Sequence, residues 1–198
     1  MSIFNNSSSV KIRLASKKDA AKIRKIYEPY VLNTAITFEY DVPSIQEFNI
    51  RIKNTLKKYP YLVAEDDTDI IGYCYASQFR SRIAYCHGAE LSVYIRQDFR
   101  HKGIGKLLYT ELEKLLRNQN VFILYAAISA TERKDDDYLT DQSLRFHKKE
   151  GFTETARHEK CGCKFGKWYD IVWMEKRISE IIDNPPPFIP FKKSDYVL

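Results

Sequence analysis

The stretch Arg100-His-Lys-Gly103-Ile-Gly105-Lys106 lies between a strand-like segment, 89–95, and a helix-like segment, 103–118. Glycines let a backbone approach a ligand closely, and the unpaired N–H groups at a helix start bind anions. The basic side chains add positive charge, so this turn is predicted to cradle phosphate groups. It is neither a P-loop, which needs Gly-Lys-Ser/Thr, nor a dinucleotide fingerprint, because Leu108 stands where a third glycine is required. A basic turn that only connects two elements is the alternative.

The composition is that of an ordinary globular protein. Of 198 residues, 44% are apolar and 29% charged, with seven glycines and seven prolines, which favours one domain and excludes collagen-like, disordered and disulfide-stapled classes. The sequence has no apolar run near the ~18 residues of a membrane span, and residues 1–10 lack the features of a signal peptide. We therefore expect a cytoplasmic protein without a membrane partner.

The net charge of +6 favours a polyanionic partner, either nucleic acid or a phosphorylated cofactor. The Lys and Arg residues are dispersed and form no recognised nucleic-acid motif, so we expect no nucleic-acid partner. Cys161-Gly-Cys163, with His158 nearby, falls short of the usual four-ligand spacing of a zinc site. The sequence therefore predicts no metal, and the four cysteines are expected to be unpaired thiols.

Hydrophobic periodicity predicts the element order β-α-α-β-β-β-α-β-α-β-β. This order describes an α/β (α+β) domain with a mixed central sheet of six to seven strands flanked by helices. A first helix follows Ser16, with Tyr30 on its apolar face, and is expected to be stopped by Pro29 and the segment 33–38; a second begins after Ser44 with Ile45 on its apolar stripe. The other elements are strands at 10–14, 61–65, 70–77, 89–95, 121–128, 152–159 and 168–176, and helices at 103–118 and 142–150.

Three local features of this pattern carry further predictions. The helix at 103–118 is expected to turn Leu107 inward with its other leucines, and the apolar strand at 121–128 to be covered on both faces. The domain is expected to span residues 1–178. Residues 179–198 form a proline-rich tail, predicted to be extended and either packed by Phe188, Ile189 and Phe191 or loose.

The basic turn also matches the signature of a known family. Arg100, Gly103 and Gly105 fit the Gln/Arg-x-x-Gly-x-Gly/Ala motif of the GNAT N-acetyltransferases, which the sequence resembles over 10–176. The resemblance implies a GNAT fold and acetyl-CoA as co-substrate, with its pyrophosphate on the turn and its pantetheine paired to the preceding strand. It assigns cofactor contacts to Val93, Tyr94, Ile95, Arg100, His101, Lys102, Gly103, Ile104, Gly105, Lys106, Thr140 and Ser143.

Further motifs resemble the phosphinothricin acetyltransferase branch of that family. They are Ala84-Tyr85, Glu90, 92–95, 143–147 with Gly151-Phe152, and a Gly-x-Lys-x-Gly-x-Trp-x-Asp pattern at Gly162, Lys164, Gly166, Trp168 and Asp170. The likeness implies a small amino acid or analogue as acceptor and a homodimer. Trp168 and Tyr169 are expected either to close a partner's pocket or simply to pack.

The resemblance assigns catalytic roles to two residues. An α-amine has a pKa of roughly 8 and is mostly protonated at neutral pH, so a base must remove a proton. Glu90 occupies the position of that base, and a solvated strand glutamate is the alternative. His147 stands where many members have an acidic tyrosine. It is predicted to be the acid or an orienting donor near the thioester, or else to contact coenzyme A or the core.

The same likeness assigns the acceptor site to aromatic and basic residues, in which an arginine would hold a carboxylate or phosphinate. These residues are Phe38, Arg80, Arg82 and Tyr85. For the two aromatic residues, a place in the core is the alternative.

Three departures from the branch pattern bear on substrate identity. Thr140 replaces the expected asparagine near Ser143, which weakens or replaces a side-chain contact to the pantetheine. An insertion at 132–139 brings the acidic run 135–137 toward the cofactor side, and Cys163 stands where tyrosine is usual. A protein N-terminus, a polyamine or an aminoglycoside therefore stays open as acceptor, and a non-catalytic acyl-CoA sensor stays open as a function.

Overall fold

Residues 10–196 are described in a computed structural model. This range contains seven strands and four α-helices in the predicted order, which confirms the fold class. The strands are β1 Lys11–Leu14, β2 Tyr61–Glu65, β3 Ile70–Gln78, β4 Gly88–Ile95, β5 Ile123–Ala130, β6 Thr153–Lys164 and β7 Lys167–Arg177. The helices are α1 Ala20–Asn33, α2 Ile45–Thr55, α3 Ile104–Asn118 and α4 Gln142–Lys149. Within 10–196 no helix is long and apolar enough to cross a bilayer.

The strands form one sheet in the order β1-β2-β3-β4-β5-β7-β6. Every neighbouring pair is antiparallel except β4 and β5, which run parallel. Their pairing covers only Gly88–Glu90 of β4 against Ile123–Tyr125 of β5. Because both strands continue beyond these residues, they separate, and we call the space between Leu91–Ile95 and Ala126–Ala130 the β4–β5 gap.

The helices cover the two faces of the sheet unequally. Leu108, Leu112 and Leu116 of α3 pack on one face, in the same core as Leu124 and Ala126 of β5. On the other face, α1 and α2 enclose a second core with residues of β2 and β3. Beyond that core β5 is only partly covered: Ala127 is exposed and Tyr125 is half-buried. The prediction that the strand at 121–128 is covered on both faces therefore holds for one face only, and we call the partly covered side of β5 and β7 the open face.

Three further local predictions need correction. Helix α1 ends at Asn33, within the predicted stop, but Pro29 lies inside it, where burial of Tyr30 and Val31 offsets the lost backbone hydrogen bond. Leu107 and Ile45 are about half exposed, because α3 and α2 bury a narrower stripe than their sequences offer. The strand expected at 152–159 extends to 164.

The proline-rich tail is packed onto the domain, which selects the first of its two alternatives. The Phe191 side chain is buried in the core beneath α3. The Gln119 side-chain amide donates to the Ile189 carbonyl at 2.9 Å, and that of Asn120 to the Pro187 carbonyl at 2.7 Å. Ile189 itself is exposed, so its main chain and not its side chain makes the attachment.

Candidate active site

The β4–β5 gap presents one edge of β4 without a neighbouring strand. The Arg96 N–H donates to the Ile71 carbonyl at 2.9 Å, which fixes the direction of backbone groups along the regular β3–β4 pairing. Groups of alternate residues point to opposite edges of a strand. Those of Glu90, Ser92 and Tyr94 therefore point to β3. Those of Val93 and Ile95 point into the gap, as does the Leu91 carbonyl, whereas the Leu91 N–H donates to the Tyr125 carbonyl in the last rung of the β4–β5 pairing.

This geometry changes which residues of β4 can offer backbone groups to a ligand, compared with the predicted Val93, Tyr94 and Ile95. Tyr94 turns its backbone to β3 and buries its ring against Tyr30 and Tyr73. The Ile95 N–H and carbonyl are both bound by the Tyr30 hydroxyl, at 3.1 and 2.5 Å. Of the three predicted residues, only Val93 directs both its backbone groups to the gap without such a contact. Leu91, which the sequence interpretation omitted, directs only its carbonyl there.

The basic turn leads directly into α3. His101 and Gly103 have left-handed backbone angles, with φ of 61° and 80°, and Gly103 has no side chain to cap the helix. The N–H groups of the first turn, from Ile104 to Lys106, therefore point out of the helix end. A Cβ atom on Gly105 would lie 3.0 Å from the Phe146 ring, so this glycine lets α4 pack against the start of α3.

Cationic side chains surround this helix start. The Arg100 guanidinium lies 4.9 Å from the centre of the Tyr30 ring, and the Lys102 ammonium 4.3 Å from that of Phe99. His101, Lys102 and Lys106 are exposed. The free helix start, the strand edge and these cations suit an extended ligand that carries phosphates.

Glu90 lies at the point where β4 and β5 separate. It pairs in register with Ser77 on β3 and is the last β4 residue paired to β5, opposite Tyr125. Its side chain shares the open face with Tyr125. Burial raises the pKa of Glu90, and the nearby Arg80 partly opposes that rise. A half-buried carboxylate with a raised pKa is suited to accept a proton near neutral pH.

The loop after β3 brings Arg80 to the same face. Its guanidinium carbon lies 4.8 Å from the centre of the Phe79 ring and 5.4 Å from that of Trp173 on β7. Phe79 also stacks on Tyr125 with ring centres 3.7 Å apart. The sequence interpretation missed these three aromatic residues. Strand alternation places Tyr125 and Trp173 on this face, but it can be applied to them only when the strand order β4-β5-β7 is known.

The other predicted acceptor residues lie around this face. Arg82 and Tyr85 are exposed on the loop before β4, and Tyr85 meets Phe79 edge-on. Phe38 is half-buried in the loop between α1 and α2, opposite Gly162 of β6. The Ser129 hydroxyl at the end of β5 donates to the Ile36 carbonyl at 3.2 Å, which holds that loop at the mouth of the gap.

His147 is buried in the core and not in the gap. Its Nδ1 lies 2.8 Å from the Ser143 carbonyl, which only accepts, so Nδ1 carries the proton. Nε2 then accepts from the Tyr109 hydroxyl at 3.0 Å. Burial lowers the pKa of His147 to about 4. Both ring nitrogens are hydrogen-bonded inside the core. This geometry favours the prediction that His147 packs in the core over the prediction that it is the catalytic acid.

The 132–139 insertion is fastened to β7. The Asp136 carboxylate accepts from the Arg133 guanidinium at 2.7 Å and from the Tyr169 hydroxyl at 3.1 Å. Burial raises the pKa of Asp136, but these donors outweigh it and the net shift is downward. Tyr169 is buried here and therefore packs, whereas Trp168 is exposed. Thr140 is exposed just before α4.

Comparison with known proteins agrees with this geometry. A family model described as an acetyltransferase (GNAT) domain matches residues 12–173. An L-amino acid N-acyltransferase of Escherichia coli is 32% identical over 170 residues, covering 85% of this chain and 94% of that protein.

Two solved structures are similar over most of their length. A GNAT phosphinothricin acetyltransferase from Sinorhizobium meliloti in complex with acetyl-CoA has a TM-score of 0.78 and 31% identity, covering 90% of this chain and 96% of that one. A ribosomal-protein-alanine N-acetyltransferase from Brucella melitensis has a TM-score of 0.77 and 30% identity, covering 85% and 99%.

The buried His147 predicts a pH-dependent stability. The unfolded chain binds a proton at this residue near pH 6.5, whereas the folded state does so only near pH 4. The stabilisation is therefore complete above pH 6.5 and is lost as the pH falls toward 4. Between pH 7 and pH 5 the wild type should lose about 2 kcal/mol of unfolding free energy that His147→Gln does not lose. Urea unfolding at both pH values measures this difference. Equal losses in the two proteins would contradict it.

Proposed function

Because the chain belongs to the GNAT acetyltransferases, which use acetyl-CoA as co-substrate, we propose that it acetylates the amine of a small amino acid or analogue. The transfer is direct, with Glu90 as general base. The observation that carries this proposal is the position of Glu90, half-buried where β4 and β5 separate. The names of the Escherichia coli and Sinorhizobium meliloti relatives support an amino acid or phosphinothricin-like acceptor.

The β4–β5 gap and the basic turn form the acetyl-CoA site in this proposal. Val93 offers its backbone N–H and carbonyl, and Leu91 its carbonyl, to the amide-containing pantetheine arm, as an added strand would require. Arg100 and the N–H groups from Ile104 to Lys106 bind the pyrophosphate.

Glu90 performs the proton transfer that makes the acceptor nucleophilic. Its carboxylate removes a proton from the ammonium group, directly or through one water, and the nitrogen lone pair then attacks the acetyl carbonyl carbon. The carbon–nitrogen bond forms and the carbon–sulfur bond breaks, and the second proton that the attacking nitrogen must lose passes through water to the departing thiolate. The products are a neutral amide and the coenzyme A thiol, so with a thiol pKa near 8.5 this leaving group needs no dedicated acid from the protein. His147 then serves to fix α4 against α3.

Arg80 selects an acceptor that carries an acidic group. Its guanidinium is held by two aromatic rings and interacts with Glu90, so it lies beside the reacting amine. A planar guanidinium binds a carboxylate or phosphinate through two parallel hydrogen bonds. Phe38, Tyr85 and Arg82 complete the walls of this pocket.

A protein N-terminus is the second candidate acceptor, favoured by the similarity to the Brucella melitensis enzyme. A free α-amine is common to both acceptor classes, and only the small amino acid has a carboxylate close to it.

We also propose a cytoplasmic homodimer. The cysteines at positions 74, 86, 161 and 163 are free thiols, which suits a reducing compartment. Ile83, Trp168 and Ile181 are large exposed apolar residues of the kind that subunit contacts cover. Sedimentation velocity separates a 23.3 kDa monomer from a dimer.

The base role predicts the effect of Glu90→Gln. Acetyl transfer to the best acceptor should fall by about 10² to 10⁴ fold, while the Kd of acetyl-CoA stays unchanged. In the wild type, kcat/KM should decrease as the pH falls through the raised pKa of Glu90, and the variant should lack this decrease. Thiol release measured from pH 5 to 9 provides the profile. Glu175→Gln, on the same face of β7, is the matched control and should retain turnover. An active Glu90→Gln enzyme would exclude the base role.

The acceptor role of Arg80 predicts a selective loss. In a thiol-release screen the wild type should acetylate phosphinothricin, methionine sulfone or methionine sulfoximine in preference to polyamines and N-terminal peptides. Arg80→Gln should raise the KM of the preferred amino acid about 10 to 100 fold, as expected for a lost charged hydrogen bond. The carboxamide of that amino acid should bind both enzymes equally. If Arg80→Gln raises the KM of the amino acid and of its carboxamide alike, Arg80 does not bind the acidic group.

A further inference from the structure

We propose that three consecutive residues at the end of β6, Gly162, Cys163 and Lys164, position the acceptor-binding loop. That loop, residues 34–40 between α1 and α2, is called the acceptor loop below. The inference rests on the proposed function, because it concerns the loop that carries Phe38. It gives a role to the Gly-x-Lys motif, which the chemistry of acetyl transfer leaves unexplained.

Lys164 ties down the main chain of the acceptor loop. Its ammonium donates to the Thr34 carbonyl at 2.9 Å and to the Thr37 carbonyl at 2.8 Å. The residue is only 2% exposed, and burial lowers its pKa although the nearby Glu39 opposes this. A buried ammonium is costly unless its donors are satisfied, so the two carbonyls and the lysine depend on one another.

Gly162 supplies the space for Phe38. The Phe38 ring lies where a side chain would begin, and a Cβ atom on Gly162 would overlap ring carbons at one edge. The backbone of Gly162 is not in the left-handed region, because its φ angle is not positive. Glycine is required here for close approach and not for conformation.

Cys163 contributes through its main chain. Its carbonyl accepts a hydrogen bond from the Tyr40 hydroxyl at the far end of the acceptor loop. Any residue provides a carbonyl, which explains how cysteine replaces the tyrosine usual at this position while the flanking glycine and lysine match the motif.

The three contacts act together with two others that hold the loop from beneath. The Tyr27 and Thr37 hydroxyls lie 2.6 Å apart in the core, and the Ala35 N–H donates to the Tyr138 carbonyl at 2.9 Å. The loop is thus held on several sides before any acceptor binds. Pre-ordering of this kind lowers the entropy cost of binding, so its loss should appear in acceptor affinity.

The first test replaces the lysine. Lys164→Met should raise the KM of the acceptor at least 10-fold while the KM of acetyl-CoA and the pH profile of kcat/KM stay unchanged. Lys160→Met, an exposed lysine of the same strand, is the control and should match the wild type. An equal rise of both KM values would assign Lys164 a general structural role and overturn the proposal.

The second test uses the contact between Gly162 and Phe38. Gly162→Ala should raise the acceptor KM about 10-fold when Phe38 is present, because the added methyl displaces the ring. In a Phe38→Ala background the same change should have almost no effect, since the overlap is gone. Such coupling cannot arise from a uniform loss of stability. Independent, additive effects of the two substitutions would contradict the proposal.

A third measurement separates this proposal from the proposed function. Hydrogen exchange of the backbone amides at 35–40 should become at least 10-fold faster in Lys164→Met, with no change at 91–95. If the wild type acetylates no amine but this exchange result is obtained, the proposed function fails and the anchoring stands. If Glu90→Gln abolishes turnover but exchange and acceptor KM are unaffected by Lys164→Met, only the anchoring fails.

Discussion

The parallel pairing of β4 with β5 ends at Glu90, and the remaining architecture follows from that early end. A strand edge without a neighbour normally invites aggregation, but here it is flanked by α3 and by the acceptor loop. The separation exposes the Leu91 carbonyl and both backbone groups of Val93 to a ligand, and it leaves the Glu90 carboxylate where the two strands part. The separation of β4 from β5 therefore does two things at once: it creates the strand edge proposed to bind acetyl-CoA, and it positions the proposed base Glu90.

Fixed contacts surround the gap on each side. Tyr30 of α1 holds the end of β4 by both backbone groups of Ile95, and its ring carries the Arg100 guanidinium. The end of β6 holds the acceptor loop. Phe79 and Trp173 hold Arg80. None of these contacts involves the reacting atoms. Together they fix the end of β4, the acceptor loop and Arg80 relative to one another around the open face.

Local patterns in the sequence predicted the element order, the basic turn and the position of Glu90. They could not predict features that depend on strand order. Trp173 joins Arg80 because β7 lies beside β5, and His147 is buried where α4 packs on α3, between Tyr109 and Phe152. Likewise, whether the backbone of Tyr94 or of Val93 faces the gap depends on register by one residue, which no motif specifies. Pro29 was counted among the residues that stop α1 because helix propensity does not include the burial of Tyr30 and Val31 that offsets its missing N–H.

The edge of β4 within the gap is the proposed binding site for acetyl-CoA. Backbone amide exchange followed by NMR, with and without acetyl-CoA, tests this residue by residue. Acetyl-CoA should slow exchange at Val93, whereas Ser92 and Tyr94, already paired to β3, and Leu91, already paired to Tyr125, should change little. Unchanged exchange at Val93 at saturating acetyl-CoA would show that the cofactor does not bind along this edge.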